Sequence, residues 1–553
     1  MEKFDLFIVN GTILTLDEDD SVAGSLAVKG GQIVRIWSEK RPPSDILALN
    51  TDAEILDLKG NTLIPGFVDT HNHILTYSLN LARVDCGSPL NKSIEEMLQK
   101  LSNKAADTPE GEWIFGYGYD DTLLQDKRHP NRYDLDKVTD KHPIMIHHTS
   151  GHLSVVNSKA IELAKVTENT PVGTGGYFGL DENGKLNGVL YERPAMEFFY
   201  AVQEKDTEET LLKRLGMAAQ NYMAEGITTN TDAGVGLRVG DVEFDIHIKA
   251  AQQGLNPMRT KLMILHTLLR DGGKFAGYTA DRLDAYIKQL TNGLVELDSA
   301  KMFQDGSIQG LTGALREPYY SDSSITGDLF HEQSAFNEEI LELHKRGYRI
   351  AIHGNGDKAI GSILDAFQYA LEKSQKEDHR HRIEHVQTAT IEDLDRMQKL
   401  GVAGSFFINH VYYWGDRHEC IFLGPERASR ISPLADAVER NLLITLHSDC
   451  PITPISPLFS VWAAVNRITR EGKVLGPDQR IDVITALKAM TIYGAKLAFM
   501  EDKIGSIETG KLADFAVLDR DPTKINPEEI KDIEVLQTII GGKSVYQNSR
   551  VYN

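Results

Sequence analysis

Two histidines one residue apart, His71 and His73, end the run Gly66-Phe-Val-Asp-Thr-His71-Asn-His73. If that run is a strand, successive side chains alternate between faces, so both imidazoles point the same way. Two neutral imidazoles at one strand end can reach one cation, and imidazole nitrogen is a common zinc ligand. Taken alone, the pair reads sooner as two chance histidines at a strand–loop junction. It is not alone. His353 closes Tyr348-Arg-Ile-Ala-Ile-His353, His385 closes Arg382-Ile-Glu-His385, and Asp449 follows Leu442-Leu-Ile-Thr-Leu-His447. Lys301 lies near the start of a further run, Ala300-Lys-Met-Phe303. Imidazoles and a carboxylate gathered round a divalent cation are the equipment of metal-assisted hydrolysis.

Something must bring these distant residues together. Eight short apolar runs ending in polar residues punctuate the middle of the chain. They are Gly66–His71, Ile227–Thr231, Lys261–His266, Ala300–Phe303, Tyr348–His353, Arg382–His385, Val402–Phe407 and Leu442–His447. Helical periodicity lies between several of them, as from Leu211 to Ala224 and from Ile360 to Leu371. Alternation of this kind favours a parallel sheet, and eight units are what a (β/α)8 barrel needs; an open doubly wound sheet is the alternative on pattern alone. In a barrel, the C-terminal strand ends carry the active site. The metal-capable groups fall at the ends of strands 1, 5, 6 and 8.

Between strands 1 and 2 the interval far exceeds the roughly 30–40 residues of one βα unit, so residues 78–206 read as an insertion. Within it, Asp181-Glu-Asn-Gly184 predicts a hairpin turn and Gly173-Thr-Gly-Gly176 a plain loop, since its spacing does not fit a phosphate-binding glycine pattern. The first sixty residues read as a small antiparallel β unit, with hairpins at Asn10-Gly11 and at Gly30-Gly31. The C-terminal runs Asp514–Leu518, Val535–Ile540 and Ser544–Tyr546 read alike, and neither piece has enough residues for a core of its own. The two are expected to pair into one β-sandwich.

Composition narrows the class. The chain has 553 residues, 41% hydrophobic and 25% charged, an ordinary globular balance. With 59 Lys plus Arg against 80 Asp plus Glu, the net charge of −21 argues against nucleic acid as a partner. The three cysteines, Cys86, Cys420 and Cys450, are too scattered for a disulfide framework or a zinc knuckle. No cationic start leads into a long apolar core, and no run approaches the roughly 18–20 apolar residues that span a bilayer. The expectation is a soluble cytoplasmic protein acting on a small molecule, with a homodimer as the default assembly.

At this point the chain resembles the amidohydrolase superfamily, in its amidohydrolase-3 (YtcJ-like) branch. The stretches that carry the resemblance are Ile64-Pro-Gly-Phe-Val-Asp-Thr-His71-Asn-His73, Lys301-Met-Phe-Gln-Asp-Gly-Ser307, Ile352-His-Gly-Asn-Gly-Asp357, Arg382-Ile-Glu-His-Val-Gln387 and His447-Ser-Asp-Cys-Pro451. The tail adds Thr491–Leu497 and Gly505–Asp514. The resemblance implies a TIM barrel with a split sandwich. Residues 1–64 and 498–553 then form the sandwich, 65–77 strand 1, 78–206 the insertion and 207–497 the rest of the barrel. It also implies that His71 and His73 hold the more buried metal and His353 and His385 a second, with Asp449 as a further ligand.

In that branch Lys301 is expected to be a bridging, carboxylated lysine. An ammonium cannot ligate and repels cations, whereas its carbamate with CO2 is a bidentate anion able to span two metals about 3.5–4 Å apart. An unmodified lysine beside one metal is the alternative. Mixed imidazole and carboxylate ligands suit Zn2+, with Fe2+, Mn2+ or Co2+ as alternatives. Asp449 is the expected general base: it takes a proton from a water whose pKa the metal has lowered towards ~7, then returns it to the leaving nitrogen.

Around this core, His152 of the insertion, His266 after strand 3 and Asp120 are candidates for substrate contact. So are Tyr413 and Trp414 of the aromatic loop after strand 7. Packing is the competing reading for each. His379 and His381, at the start of strand 6, read as structural, and Cys450 should face away from Asp449 into the core. The expected reaction is hydrolysis of a C–N bond in an N-acyl, N-formyl or cyclic amide. Ester or phosphotriester hydrolysis on the same two-metal site is the alternative chemistry, and a barrel kept only as a binding protein the non-catalytic one.

Overall fold

The computed structural model describes residues 3–88, 91–203 and 206–548. Its centre is an eight-stranded parallel sheet whose strands follow one another in chain order. Barrel strands 1 to 8 are Phe67–Asn72, Ile227–Val235, Arg259–Leu265, Val295–Phe303, Ile350–Gly354, Arg382–His385, Ala403–Phe406 and Ile444–Leu446. All eight expected strands are present. The ring is nearly closed: strands 8 and 1 meet through side chains, Thr70 Oγ1 lying 2.9 Å from Thr445 Oγ1, rather than through a ladder. At the mouth, the His73 amide donates to the Cys450 carbonyl at 2.8 Å, tying the two strand ends that carry His71, His73 and Asp449.

Amphipathic helices clad the sheet. Glu208–Ala224 is capped by Thr207, whose side chain accepts from the Thr210 amide, and it buries Leu211, Leu215, Ala218, Tyr222 and Met223 at helical spacing. Asp357–Lys373 starts at Gly356, where a Cβ would sit 1.9 Å from the Ala314 carbonyl oxygen. Only glycine lets that helix begin so close to the neighbouring loop.

Strands from both termini share one sheet. Its order is Lys543–Gln547, Val535–Ile540, Phe515–Leu518, Thr62–Pro65, Thr12–Leu14, Val22–Ala23. A four-stranded sheet (Gln32–Trp37, Ser25–Lys29, Leu6–Val9, Glu54–Asp57) covers it, enclosing Leu6, Ile8, Leu26, Phe515 and Val517. The hairpin at Gly30-Gly31 forms as expected. That at Asn10-Gly11 does not: Leu6–Val9 and Thr12–Leu14 lie in different sheets, and the turn between them is a crossover. Nor is the N-terminal unit purely antiparallel, since Leu6–Val9 pairs parallel with Glu54–Asp57 and Thr12–Leu14 parallel with Thr62–Pro65. Asn10 takes φ 60°, as a turn would, but its amide bonds to Lys40 and its side chain to Asp57, which turns the chain across the sandwich.

The insertion folds around its own six-stranded sheet, Val84–Asp85 to Tyr177–Leu180 and Leu186–Tyr191, with the predicted hairpin at 181–184. Alternate residues of Ile144–His148 feed two cores, Ile144 and Ile146 on one face and Met145 on the other. Strand 4 begins at Val295, five residues before the apolar run suggested, so Lys301 sits near its C-terminal end with the other site candidates. Among the described residues no helix is long and apolar enough to cross a membrane.

Candidate functional site

Strand ends 1 and 8 bring three side chains to one point. Asp449 Oδ1 lies 3.3 Å from His71 Nε2 and 3.3 Å from His73 Nε2, and its Oδ2 lies 3.9 Å from His385 Nδ1. Ligand-capable atoms of His71, His385 and Asp449 fall within 4.8 Å of one another. Two of these residues hold left-handed backbones, His385 at φ 74° and Asp449 at φ 53°. Non-glycine residues pay of order 1–3 kcal/mol for such conformations, and they concentrate at functional sites.

His71 Nε2, Asp449 Oδ1 and Lys301 Nζ are buried without a hydrogen-bond partner. Orphaned polar atoms of this kind are costly unless something occupies the space they face. The two imidazoles and the carboxylate of His71, His385 and Asp449 make a nitrogen–nitrogen–oxygen donor set that suits a divalent metal ion such as Zn2+, Fe2+, Mn2+ or Co2+. Burial pushes Asp449 up, but His71 and His73 outweigh it and hold the carboxyl well below its usual range, so it is ionised. Burial holds the Lys301 ammonium down to about 8, against the pull of Glu384 and Asp449.

Beneath the mouth lie two residues that pattern reasoning left without a role. His71 Nδ1–H donates to Glu384 Oε2 at 2.6 Å, which turns Nε2 towards the cluster. Glu384 is itself held by Arg382 Nε at 2.5 Å, and Arg382 by Asp298 at 2.7 Å. His447 stacks on His71 with ring centroids 4.6 Å apart; its Nε2 lies 3.1 Å from His385 Nδ1 and its Nδ1 2.8 Å from Ser405 Oγ. The sequence signal for both was parity. Arg382 and Glu384 are polar at a spacing of two within strand 6, and Thr445 in strand 8 and His447 just after it repeat that spacing, in segments with nowhere polar to face except the barrel interior.

His353 lies beside His385, ring centroids 4.5 Å apart, with its Nε2 3.1 Å from the Gly306 carbonyl and 2.9 Å from the Asn355 amide. His152 reaches in from the insertion: its ring centroid is 5.7 Å from that of His353, and its Nδ1 is 2.8 Å from Glu192 Oε2. These groups open into a cavity of about 1380 Å³, walled by the barrel mouth on one side and the insertion on the other. His266 stands on its rim, with Nδ1 2.7 Å from Glu339 Oε1.

Asp120, Tyr413 and Trp414 are not among the residues lining this cavity. Asp120 Oδ1 caps the turn to Thr122 and its Oδ2 lies 3.4 Å from Arg417, while Tyr413 and Trp414 pack against Phe459 and His410. Asp120, Asp121 and His148 form a second ligand-capable group, but the Arg417 guanidinium already supplies its positive charge. His381 packs among Phe367, His344 and His379, and Cys450 in the barrel core.

One prediction arises at the rim. Burial pushes Glu339 up, but hydrogen bonds from His266 and Arg270 outweigh it and pull the carboxyl to about 2, below the ordinary 4.5. A lowered folded-state pKa stabilises the fold above the unfolded value, and that contribution disappears as pH falls through the folded one. Glu339→Gln is therefore expected to be less stable than the parent at pH 7, with the gap closing between about pH 4.5 and 2. Chemical-denaturation midpoints of both proteins across that range check it.

Comparison with known proteins agrees with this geometry. The amidohydrolase family model matches residues 54–546. The chain is 28% identical to the N-substituted formamide deformylase of Arthrobacter pascens over 554 residues, 99% of each chain. It is 26% identical to YtcJ of Bacillus subtilis, covering 98% of this chain and 99% of that one. Among solved structures, an uncharacterized metal-dependent hydrolase from Pyrococcus horikoshii superposes with a TM-score of 0.73 at 26% identity, over 94% of this chain and 99% of the other. A match that takes in both sandwich halves, the insertion and every strand end discussed above leaves one assignment: the chain belongs to the amidohydrolase family, as a YtcJ-like member with the metal-dependent hydrolase fold.

Proposed function

We propose that the protein hydrolyses a carbon–nitrogen bond of a small amide, with an N-formyl or other N-acyl group as the acyl part. The observation that carries this reading is the set of orphaned atoms, His71 Nε2, Lys301 Nζ and Asp449 Oδ1, buried at the head of a cavity large enough for a small molecule. The name of the Arthrobacter relative supports a formamide among the candidate amides.

His71, His73, His385 and Asp449 would hold a divalent cation, with His353 and Lys301 available to a second. Bound there, such a cation supplies Lewis acidity, which lowers the pKa of water and polarises a carbonyl. Asp449 is ionised and so receives the proton of the attacking water, then delivers it to the nitrogen that leaves. Glu384 keeps His71 in the tautomer whose Nε2 is free. His152, held by Glu192, faces the cavity where the substrate carbonyl or its leaving group would lie.

Lys301 fits carboxylation for a physical reason. Only a neutral amine adds to CO2, losing one proton as the carbamate forms, and burial makes the neutral form of Lys301 accessible. Protein grown with excess divalent metal and bicarbonate is expected to carry two metals and, by native mass spectrometry, the added mass of one CO2. One metal and no added mass would overturn the binuclear arrangement.

The reaction itself is tested by measuring kcat/KM of the metal-loaded protein on matched amide, ester and phosphotriester substrates. Metal-dependent turnover of the amides, N-formyl amines included, is the expected result. Turnover confined to esters or phosphotriesters, or none on any of the three, would overturn the reading.

A further inference from the structure

The cavity wall is built jointly by the insertion and by the barrel segments next to it, and it carries charges of both signs. Four arginines line it: Arg83, Arg193, Arg214 and Arg238. Two are paired, Arg193 with Glu197 at 3.0 Å and Arg214 with Asp206 at 2.8 Å. Among the described residues, no carboxylate lies within ion-pair distance of Arg83 or Arg238. Arg83 donates to Asn80 Oδ1 at 3.0 Å and lies 5.3 Å over the Phe115 ring, with Arg238 and Asp206 near enough to act on it through charge. Arg238 Nε is buried with no partner, and its Nη1 reaches only the Tyr200 hydroxyl, at 3.4 Å. Both guanidiniums act on one histidine: burial first, then the charges of Arg83 and Arg238, hold His147 well below its usual pKa.

Arg238 is also held in place with unusual care. It follows strand 2 in a loop whose amides at Gly236, Leu237, Arg238 and Val239 all donate to the buried carboxylate of Glu243, at 2.6–3.2 Å. A loop clamped in this way fixes where the Arg238 backbone stands at the cavity wall, which reduces the entropy lost when its side chain binds a ligand. Arg238 Nη2 would lie 3.6 Å from a Cβ at Gly151, which would also meet Ile452, and all three residues line the cavity that Asp449 lines.

We propose that Arg238, assisted by Arg83, is an anion subsite, and that the substrate carries a carboxylate on the fragment distal to the bond hydrolysed. The inference deepens the amide-hydrolase reading and rests on it for the position of that bond. A carboxylate is the fitting anion because its two oxygens match the paired N–H donors of a guanidinium. The stacked Trp113 and Phe115, with Met196 and Tyr200, supply an apolar wall for the carbon skeleton between the two ends.

Two pairs of probes test it on the metal-loaded protein. The first is unreactive: 3-phenylpropanoate against 3-phenylpropanamide, by titration calorimetry. The carboxylate is expected to bind at least about tenfold tighter, and R238Q and R83Q each to shrink that ratio by about tenfold, with R238K retaining part of it. The second is reactive: N-formyl-phenylalanine against N-formyl-phenylalaninamide, as a ratio of kcat/KM, which should move in parallel. A merely structural role for the arginines would depress both members of a pair and leave the ratio intact. A ratio near one in the parent, or a ratio that survives both R238Q and R83Q, as it would if the carboxylate sat on the metal, overturns the subsite. Turnover of neither formyl compound, with the calorimetric preference present and lost in R238Q, supports the subsite and counts against formamide hydrolysis instead.

Discussion

Asp449→Asn is expected to lower kcat/KM by about 10²–10⁴-fold while the protein retains its metal. The carboxamide matches the carboxylate in size and keeps an oxygen able to ligate, and His71, His73 and His385 remain beside it. What it loses is the capacity to take a proton. The environment explains why that capacity matters here. Burial pushes Asp449 up and the surrounding imidazoles outweigh it, so it is a charge kept in a low-dielectric site where the proposed reaction calls for a proton acceptor. Steady-state kinetics alongside metal analysis by mass spectrometry separates the two roles. Turnover within a few-fold of the parent would remove Asp449 from proton transfer. Loss of metal together with activity would make it chiefly a ligand.

How much of this site was legible beforehand follows from where its residues stand. His71, His73, His353, His385 and Asp449 end apolar runs, so a local pattern exposes them, and the barrel's own geometry gathers strand ends at one mouth. Glu384 lies within a strand, and His447 directly follows one. A charged residue in a short strand ordinarily marks a solvent-facing side; here Arg382 and Glu384 face the barrel interior, and only the closed sheet makes that so. The start of strand 4 was hidden for the same reason: Glu296 and Asp298 interrupt its apolar pattern, yet both are satisfied across strands, by Lys261 and by Arg349 and Arg382.

Non-local pairing accounts for the remaining differences. Asn10-Gly11 has the composition of a hairpin turn, but its flanking strands pair with other segments, Leu6–Val9 with Ser25–Lys29 and Glu54–Asp57 and Thr12–Leu14 with Val22–Ala23 and Thr62–Pro65, and no local rule reports them. The approach of His152 and Arg238 to the same cavity joins the insertion to the loop after strand 2, a contact between segments that are separate units in the sequence. The aromatic loop after strand 7 shows the converse. Its composition suits a pocket, and the structure spends it on packing under a long connection.

Glu384→Gln is expected to lower both stability and metal affinity, for different reasons that a second substitution can separate. The change keeps the side chain's shape and an oxygen for His71, but it deletes one of the two carboxylates that hold Arg382 at the bottom of the barrel. Asp298 cannot compensate fully, because Arg349 already draws on it at 3.1 Å. Breaking a buried pair from one side costs about 3–5 kcal/mol, which should appear as a fall in denaturation midpoint at unchanged slope. Metal affinity should fall by about 10–100-fold, since a neutral acceptor orders the His71 tautomer less firmly and makes its Nε2 less basic. Adding Arg382→Met removes the stranded guanidinium and should recover much of the lost stability. It does nothing for His71, so the weakened metal affinity should persist. Recovery of both properties together would mean that Glu384 serves only the charge balance of the barrel floor and does not tune the ligand above it.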